Sequence, residues 1–307
     1  MAKALNLGEI LFNSVRYAVL VMALLIASAG FAADSLHILL TNDDGIEAPG
    51  IKALESALID AGYRLSIVAP RNQQSATSMK VTTKKLSYEQ LAENRWAIDG
   101  SPADSVAVAL SLLLRQDPPD LILSGANFGQ NLGSNTNLSG TVGAALMGMQ
   151  MGVPGIAVSV GMHMAEAKVE PVRFASTMNA FAPAAAFTVE LVQALERSNA
   201  RGAAAILPQH TILNVNYPAL SSDQIKGPKI AEVARRGGFV ATYVPIENSN
   251  ELKIVLNHEE RRDPALANAD IDLFKEGYIT ISVLNGNLGA ARDADLAMAN
   301  RLHELLK

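Results

Sequence analysis

Cysteine is absent from all 307 residues. Disulfides, thiolate metal centres and a lipid-modified cysteine anchor are thereby excluded. Long runs of like charge are absent too. With 25 basic and 30 acidic residues the formal net charge is −5, a balance that builds no surface for a nucleic-acid polymer. The nucleotide fingerprints are missing: no G-x-G-x-x-G follows the first strand, and no G-x-x-x-x-G-K-[ST] occurs. There is no internal repeat and no long low-complexity linker, so no clean domain boundary stands out. What is present is apolar bulk, 49% of residues, enough for the core of one large α/β domain or two smaller ones.

The first 33 residues differ from the rest. Lys3 and Arg16 precede "YAVLVMALLIASAGFAAD", an apolar stretch ending in small residues. Gly30-Phe31-Ala32 fits a small-x-small cleavage site, so residues 1–32 are expected to be a signal peptide and 33–307 the mature chain. A membrane anchor is the alternative, because Tyr17–Ala33 is near the lower limit for spanning. The small residues at the C-terminal end favour the cleaved leader, and with it a periplasmic or secreted protein. If the leader does not function, the protein stays in the cytoplasm.

From Leu36 onward, strands alternate with helices. Leu36–Thr41, "YRLSIVAP", "DLILSGAN", "GIAVSV" and "TILNVNYP" read as strands. "PGIKALESALIDAG", "GSPADSVAVALSLLLRQ", "SGTVGAALMGMQMG" and Phe174–Leu195 read as helices. Pro49 is placed to start the first helix and Gly62 to end it. This pattern predicts a Rossmann-like, three-layer α/β body with a parallel sheet, over about residues 35–220. "GFVATYVPI", "NELKIVLNH" and "EGYITISVL" read as strands without intervening helices, giving a β-rich C-terminal extension over about 221–307.

Chemistry concentrates where strands end. Ligands in open parallel sheets bind beyond the carboxyl ends of the strands. The first strand stops at Asn42-Asp43-Asp44-Gly45. Two adjacent carboxylates repel by on the order of 1 kcal/mol in water at about 4 Å, and by more as solvent is excluded. Ser75 lies in the loop after the second strand, and Asn127 just after "DLIL". If these strands are neighbours, two carboxylates, a hydroxyl and an amide carbonyl converge. Such hard oxygen ligands suit one divalent cation, Mg²⁺ or Mn²⁺, which would offset the repulsion. A plain Asx-Gly turn is the alternative for the Asp pair. Ser139, Gly140 and Thr141 open a helix whose unpaired N–H groups can bind an anion; an ordinary helix cap is the alternative. Beside a divalent metal, an anion site points to phosphate.

These stretches resemble the SurE family of 5′/3′-nucleotidases. The resemblance is carried by "ILLTNDDGIEAPGI", "VAPRNQQSATS", "GSPADSVAVAL", "DLILSGANFGQNLG", "SGTVGAALMG" and "LNVNYP", from Ile38 to Pro218, with "EGYITISVL" extending it weakly. It implies metal ligands at Asp43, Asp44, Ser75 and Asn127, and phosphate contacts at Ser139, Gly140 and Thr141, with Asn42 and Asn131 of the same blocks on the substrate side. It further implies a nucleoside monophosphate substrate, no nucleic-acid polymer, and a homodimer or homotetramer in which the C-terminal extension exchanges between subunits. The implied reaction is metal-assisted phosphomonoester hydrolysis of 5′-nucleotidase or acid-phosphatase type, with Asp43 or Asp44 as ligand, base or nucleophile. Two departures stand out: most relatives lack a leader, and Gln73-Gln74 stands where a basic residue is frequent. His37 reads as a packed strand residue, and His163 as a candidate for the mouth of the site. A periplasmic solute-binding protein would need a second similar lobe. A dinucleotide-dependent oxidoreductase would need the missing glycine fingerprint.

Overall fold

The computed structural model describes residues 35–171, 173–199, 206–235, 238–259, 266–288 and 292–303. The expected leader, residues 1–32, lies outside the described residues. Strand β1 (His37–Thr41) is buried along its whole length. Helix α1 (Pro49–Asp60) follows and packs Ile51, Leu54 and Leu58 inward. Pro49 starts it, and Gly62 ends it in a Schellman turn: Tyr63 N donates to Leu58 O and Gly62 N to Ile59 O. Strand β2 (Arg64–Pro70) returns beside β1 in parallel register.

An antiparallel pair that the sequence pattern does not announce, β3 (Tyr88–Ala92) and β4 (Arg95–Ile98), closes this side of the sheet. Helix α2 (Pro102–Val108) begins with a capping box between Ser101 and Asp104. The expected longer helix gives way to a π-helical segment at Ala109–Leu113. Asp104 also accepts from the Thr82 amide and hydroxyl, so "GSPADSV" is built into the framework. Next come β5 (Leu121–Phe128), α3 (Gly140–Gln150), β6 (Gly155–Val160), α4 (Ala175–Asn199) and β7 (Ile212–Tyr217).

Among the described residues, nine strands, including β8 (Pro228–Ile230) and β11 (Ile279–Leu284), form one sheet in the order β3-β4-β2-β1-β5-β6-β7-β11-β8. From β4 to β7 neighbouring strands run parallel. Helices α1 and α4 pack together on one face, and α2 and α3 on the other. Alternation along β1 serves both layers: Ile38 and Leu40 join Leu54 and Phe181 in one core, while Leu39 joins Val68, Val106 and Ile122 in the second. This is the three-layer body expected, and among the described residues it has no second lobe of the kind a solute-binding protein needs.

The C-terminal part is rearranged relative to the sequence expectation. Strands β9 (Gly238–Pro245) and β10 (Leu252–Glu259) pair as a separate antiparallel hairpin. Strand β11 (Ile279–Leu284) does not join them. It enters the main sheet antiparallel to β7 and parallel to β8 (Pro228–Ile230), after a short helix, α5 (Asp270–Lys275). Its buried half, Ile279–Thr280–Ile281–Ser282, satisfies an edge that β7 would otherwise leave open. A final helix, α6, spans Arg292–Arg301.

Candidate active site

The chain reverses its direction of travel across the sheet between β1 and β5: β2 and β4 lie on one side of β1, and β5, β6 and β7 on the other. Ligand sites of open α/β sheets form at such a switch point. Asp43 and Asp44 follow β1 there, and Asn127 ends β5 beside them, with Thr41 facing Ser124 in the ladder.

The turn after β1 is held from within. Asn42 is fully buried, and its Nδ2 donates to Gly45 O at 2.8 Å. Gly45 takes φ +103°, a conformation that costs a side-chain-bearing residue energy. Asp43 is only 3% exposed. Its carbonyl accepts from Gln74 N at 2.6 Å, which brings the loop after β2 against the turn. Its carboxylate Oδ1 accepts from Thr141 Oγ1 at 2.8 Å. Asp44 Oδ2 accepts from Phe128 N at 2.8 Å, a bond from the end of β5.

Burial and then the neighbouring Asp44 charge push the Asp43 carboxyl up to about 7, against the pull of the Thr141 hydroxyl and amide. Burial also raises Asp44, opposed by the Phe128 amide. The repulsion anticipated from two adjacent carboxylates is therefore present and is only partly relieved by protein donors.

Asn127 reaches the site through a β-bulge. Ser124 faces Ala157 and Asn127 faces Ser159, so β5 carries one extra residue. Gly125 makes the bulge possible: it has φ +141°, and a Cβ there would lie 2.3 Å from Val158 O. Asn127 Nδ2 donates to Gly129 O at 2.6 Å. With its nitrogen held in this way, the amide oxygen is the side-chain atom left to accept from or bind another group.

Helix α3 meets Asp43 without an intervening side chain. A Cβ on Gly140 would sit 2.9 Å from Asp43 Cβ and 3.0 Å from both Asp43 Oδ2 and Thr77 Oγ1. A Cβ on Gly143 would collide with Ser78 O at 2.2 Å. The two glycines thus admit the carboxylate and the loop after β2 against the helix start.

Several expected site residues have bonding partners within the protein itself. Ser139 Oγ accepts from Val142 N at 3.1 Å, so this hydroxyl is the N-cap of α3. Thr141 bonds the Asp43 carboxylate through its hydroxyl and its amide. Asn131 is enclosed: its N donates to Asn216 Oδ1, its Nδ2 to Ser159 Oγ, and its carbonyl accepts from Asn214 and Asn216. Asn42 and Asn131 therefore brace the turn after β1 and the loop after β5. The Ser75 loop is delivered to Asp43, but the exposed Ser75 hydroxyl accepts from the Gln73 side chain.

Two contributors escape the sequence reading. Thr77 stands against Gly140 and Asp43, two residues beyond Ser75 in the same "SAT" stretch. Asp270, fully buried, accepts from Gly133 N at 2.8 Å and Ala234 N at 3.0 Å, tying the C-terminal part to the loop after β5. Burial raises its carboxyl while these amides oppose the shift. Its segment, "NADID", carries no functional pattern. His37 is packed in β1 against Ser66, as expected.

The family model described as "Survival protein SurE" matches residues 38–238. The chain belongs to the SurE family. It is 33% identical over 264 residues to a 5′-nucleotidase SurE of Thermosynechococcus vestitus, covering 82% of this chain and 92% of that relative. It is 34% identical over 281 residues to a 5′-nucleotidase SurE of Nostoc sp., covering 85% and 96%. A crystal structure of the SurE protein from Aquifex aeolicus superimposes with a TM-score of 0.68 at 29% identity, covering 87% of this chain and 99% of that one. The SurE match spans every loop that builds the site, from Asn42 to Thr141, and continues through Asn216.

Proposed function

We propose that the protein is a divalent-metal-dependent phosphomonoesterase that hydrolyses nucleoside 5′-monophosphates, and 3′-monophosphates as a secondary class. The observation that carries this reading is the Asp43–Asp44 pair at the switch point, with Asn127 beside it and the Ser75 loop bonded to Asp43. Its SurE relatives named 5′-nucleotidases support the substrate class.

The donor set fits a hard cation. Carboxylate, amide and hydroxyl oxygens suit Mg²⁺ or Mn²⁺, and a positive charge removes the repulsion that burial amplifies. Asp43, Asp44, Asn127 and, once freed from Gln73, Ser75 would hold it. When bound, the cation polarises the phosphoryl group and lowers the pKa of water at the site.

The remaining steps belong to the chain. Thr141 fixes one oxygen of Asp43, which leaves the other to face the ligand. Asp44, the more exposed carboxylate, takes a proton from the attacking water. The water oxygen bonds to phosphorus, the ester oxygen leaves, and a proton passes to that alcohol. Gly140 lets phosphate approach the first turn of α3, whose dipole opposes the charge developing there.

Two broader features complete the proposal. A leader-like sequence over residues 1–32 supports a periplasmic or secreted location. The β9–β10 hairpin, with Val240, Tyr243 and Ile254 exposed, supplies the surface for a homodimer or homotetramer. Phosphate release from a panel of nucleoside monophosphates, with and without EDTA, tests the activity itself.

A further inference from the structure

On the far side of Asn131 the same sheet edge opens into a pocket of about 380 Å³. It lies beyond the carboxyl ends of β6 and β7, over Gly161, Met162 and Pro218. Phe239 of β9 and Phe274 of α5 close its outer wall. The volume falls at the lower end of small-molecule sites, which run from about 300 Å³ upward.

Pocket and carboxylate pair are linked by one stretch of chain. The end of β5 carries Asn127, and the loop that follows presents Gln130 and Leu132 to the pocket. Gln130 is set in place by Met162, whose N donates to Gln130 Oε1 at 2.9 Å, which leaves the Gln130 amide nitrogen as a donor. Strands β1 and β6 are separated by β5, so about 10 Å lies between the carboxylate pair and the near side of the pocket. A ribose bridges a phosphate and a base over that span.

Phe239 is held there by an unusual clamp. Asn135 Oδ1 accepts from Phe239 N at 2.8 Å, and Asn135 Nδ2 donates to Phe239 O at 2.9 Å. One side chain thus pairs with this residue as a neighbouring strand would. The clamp fixes a ring of the otherwise separate hairpin to the pocket.

We propose that this pocket receives the leaving group of the phosphoester, and that Phe239 is a specificity-determining residue selecting a flat aromatic base. Asn135 is its positioning residue. This rests on the phosphomonoesterase reading given above. Two phenyl rings and the Met162 thioether favour a planar heterocycle, which stacks on rings and packs against sulfur. Gln130 and Lys275 supply donors for the polar edge of such a ring. A polyol or simple sugar would leave its hydroxyls facing apolar walls, at a cost.

The test compares AMP with glycerol 2-phosphate, which has no base, in wild type, Phe239→Ala, Phe239→Trp and Asn135→Ala. Phe239→Ala is expected to lower the ratio of kcat/KM, AMP over glycerol 2-phosphate, by about tenfold or more, chiefly through KM for AMP. Phe239→Trp should hold the ratio, and Asn135→Ala should move it in the direction of Phe239→Ala. Calorimetry with adenosine in EDTA gives a second readout: wild type binds, and Phe239→Ala binds more weakly by a similar factor. An unchanged ratio in folded Phe239→Ala, or no adenosine binding by wild type, overturns the proposal. Wild-type protein that binds adenosine but releases phosphate from no ester would instead overturn the phosphomonoesterase reading.

Discussion

Thr141 Oγ1 donates to Asp43 Oδ1 at 2.8 Å, joining the first turn of α3 to the carboxylate that follows β1. The two residues are 98 positions apart in the chain, and the bond is buried. It fixes the orientation of the Asp43 carboxylate.

Removing that donor should therefore impair activity without unfolding the protein. A hydrogen bond to a charged group is worth roughly 1.5–3 kcal/mol. Thr141→Val keeps the shape and deletes the hydroxyl, so kcat/KM should fall about 10- to 100-fold, while Thr141→Ser retains most activity. Steady-state kinetics on the three proteins, with circular dichroism as the fold check, decides it. Equal activity in Thr141→Val and wild type would reduce the hydroxyl to packing.

Gly140 tests the same contact from the other side. A Cβ at 2.9 Å from Asp43 Cβ and 3.0 Å from Thr77 Oγ1 leaves no room unless the carboxylate moves. Gly140→Ala should lower kcat by at least about tenfold, the effect of a small misplacement in a catalytic site. Its thermal midpoint should fall modestly from the overpacking, while circular dichroism shows the fold retained. Wild-type kinetics in Gly140→Ala would contradict the tight approach.

The Asp43 carboxyl gives the metal-free protein a pH signature. Its value is raised from 3.8 to about 7 in the fold, by burial first and by Asp44 second. Between those values the folded state keeps a proton that the unfolded chain has lost, so stability falls as pH rises through that window. In EDTA, Asp43→Asn should raise Tm at pH 8 by a few degrees, on the order of 5 °C, and change it little at pH 4. Mn²⁺ should raise Tm of wild type at pH 8 and leave Asp43→Asn nearly unmoved. Differential scanning calorimetry reads all four cases; equal Mn²⁺ stabilisation of both proteins would remove Asp43 from the ligand set.

If residues 1–32 are a cleaved leader, protein recovered from a periplasmic extract should begin at Ala33. N-terminal sequencing checks this, and an intact chain found only in the cytosol would overturn export.

Much of the body was legible because it follows local rules. Pro49 and Gly62 punctuate α1, and buried strands such as β6 and β7 read as continuous apolar runs. The three site loops were legible because their strands, β2, β1 and β5, are sheet neighbours. What was hidden is non-local. The partner of β11 is β7, some 65 residues earlier, and no periodicity encodes that pairing. The role of Ser139 as a cap, and the bond from Thr141 to Asp43, depend on how closely a glycine lets two elements approach. Asp270 answers amides of Gly133 and Ala234, a demand that arises only once the chain has folded.

The most direct measurement is phosphate release from nucleoside 5′-monophosphates by the purified full chain, in EDTA and then with Mg²⁺ or Mn²⁺ restored. The switch-point carboxylates predict no release in EDTA, recovery with one of the two cations, and a loss of several orders of magnitude in Asp43→Asn that neither cation repairs. Full activity in EDTA, or an active Asp43→Asn enzyme, would contradict a metal held by this pair.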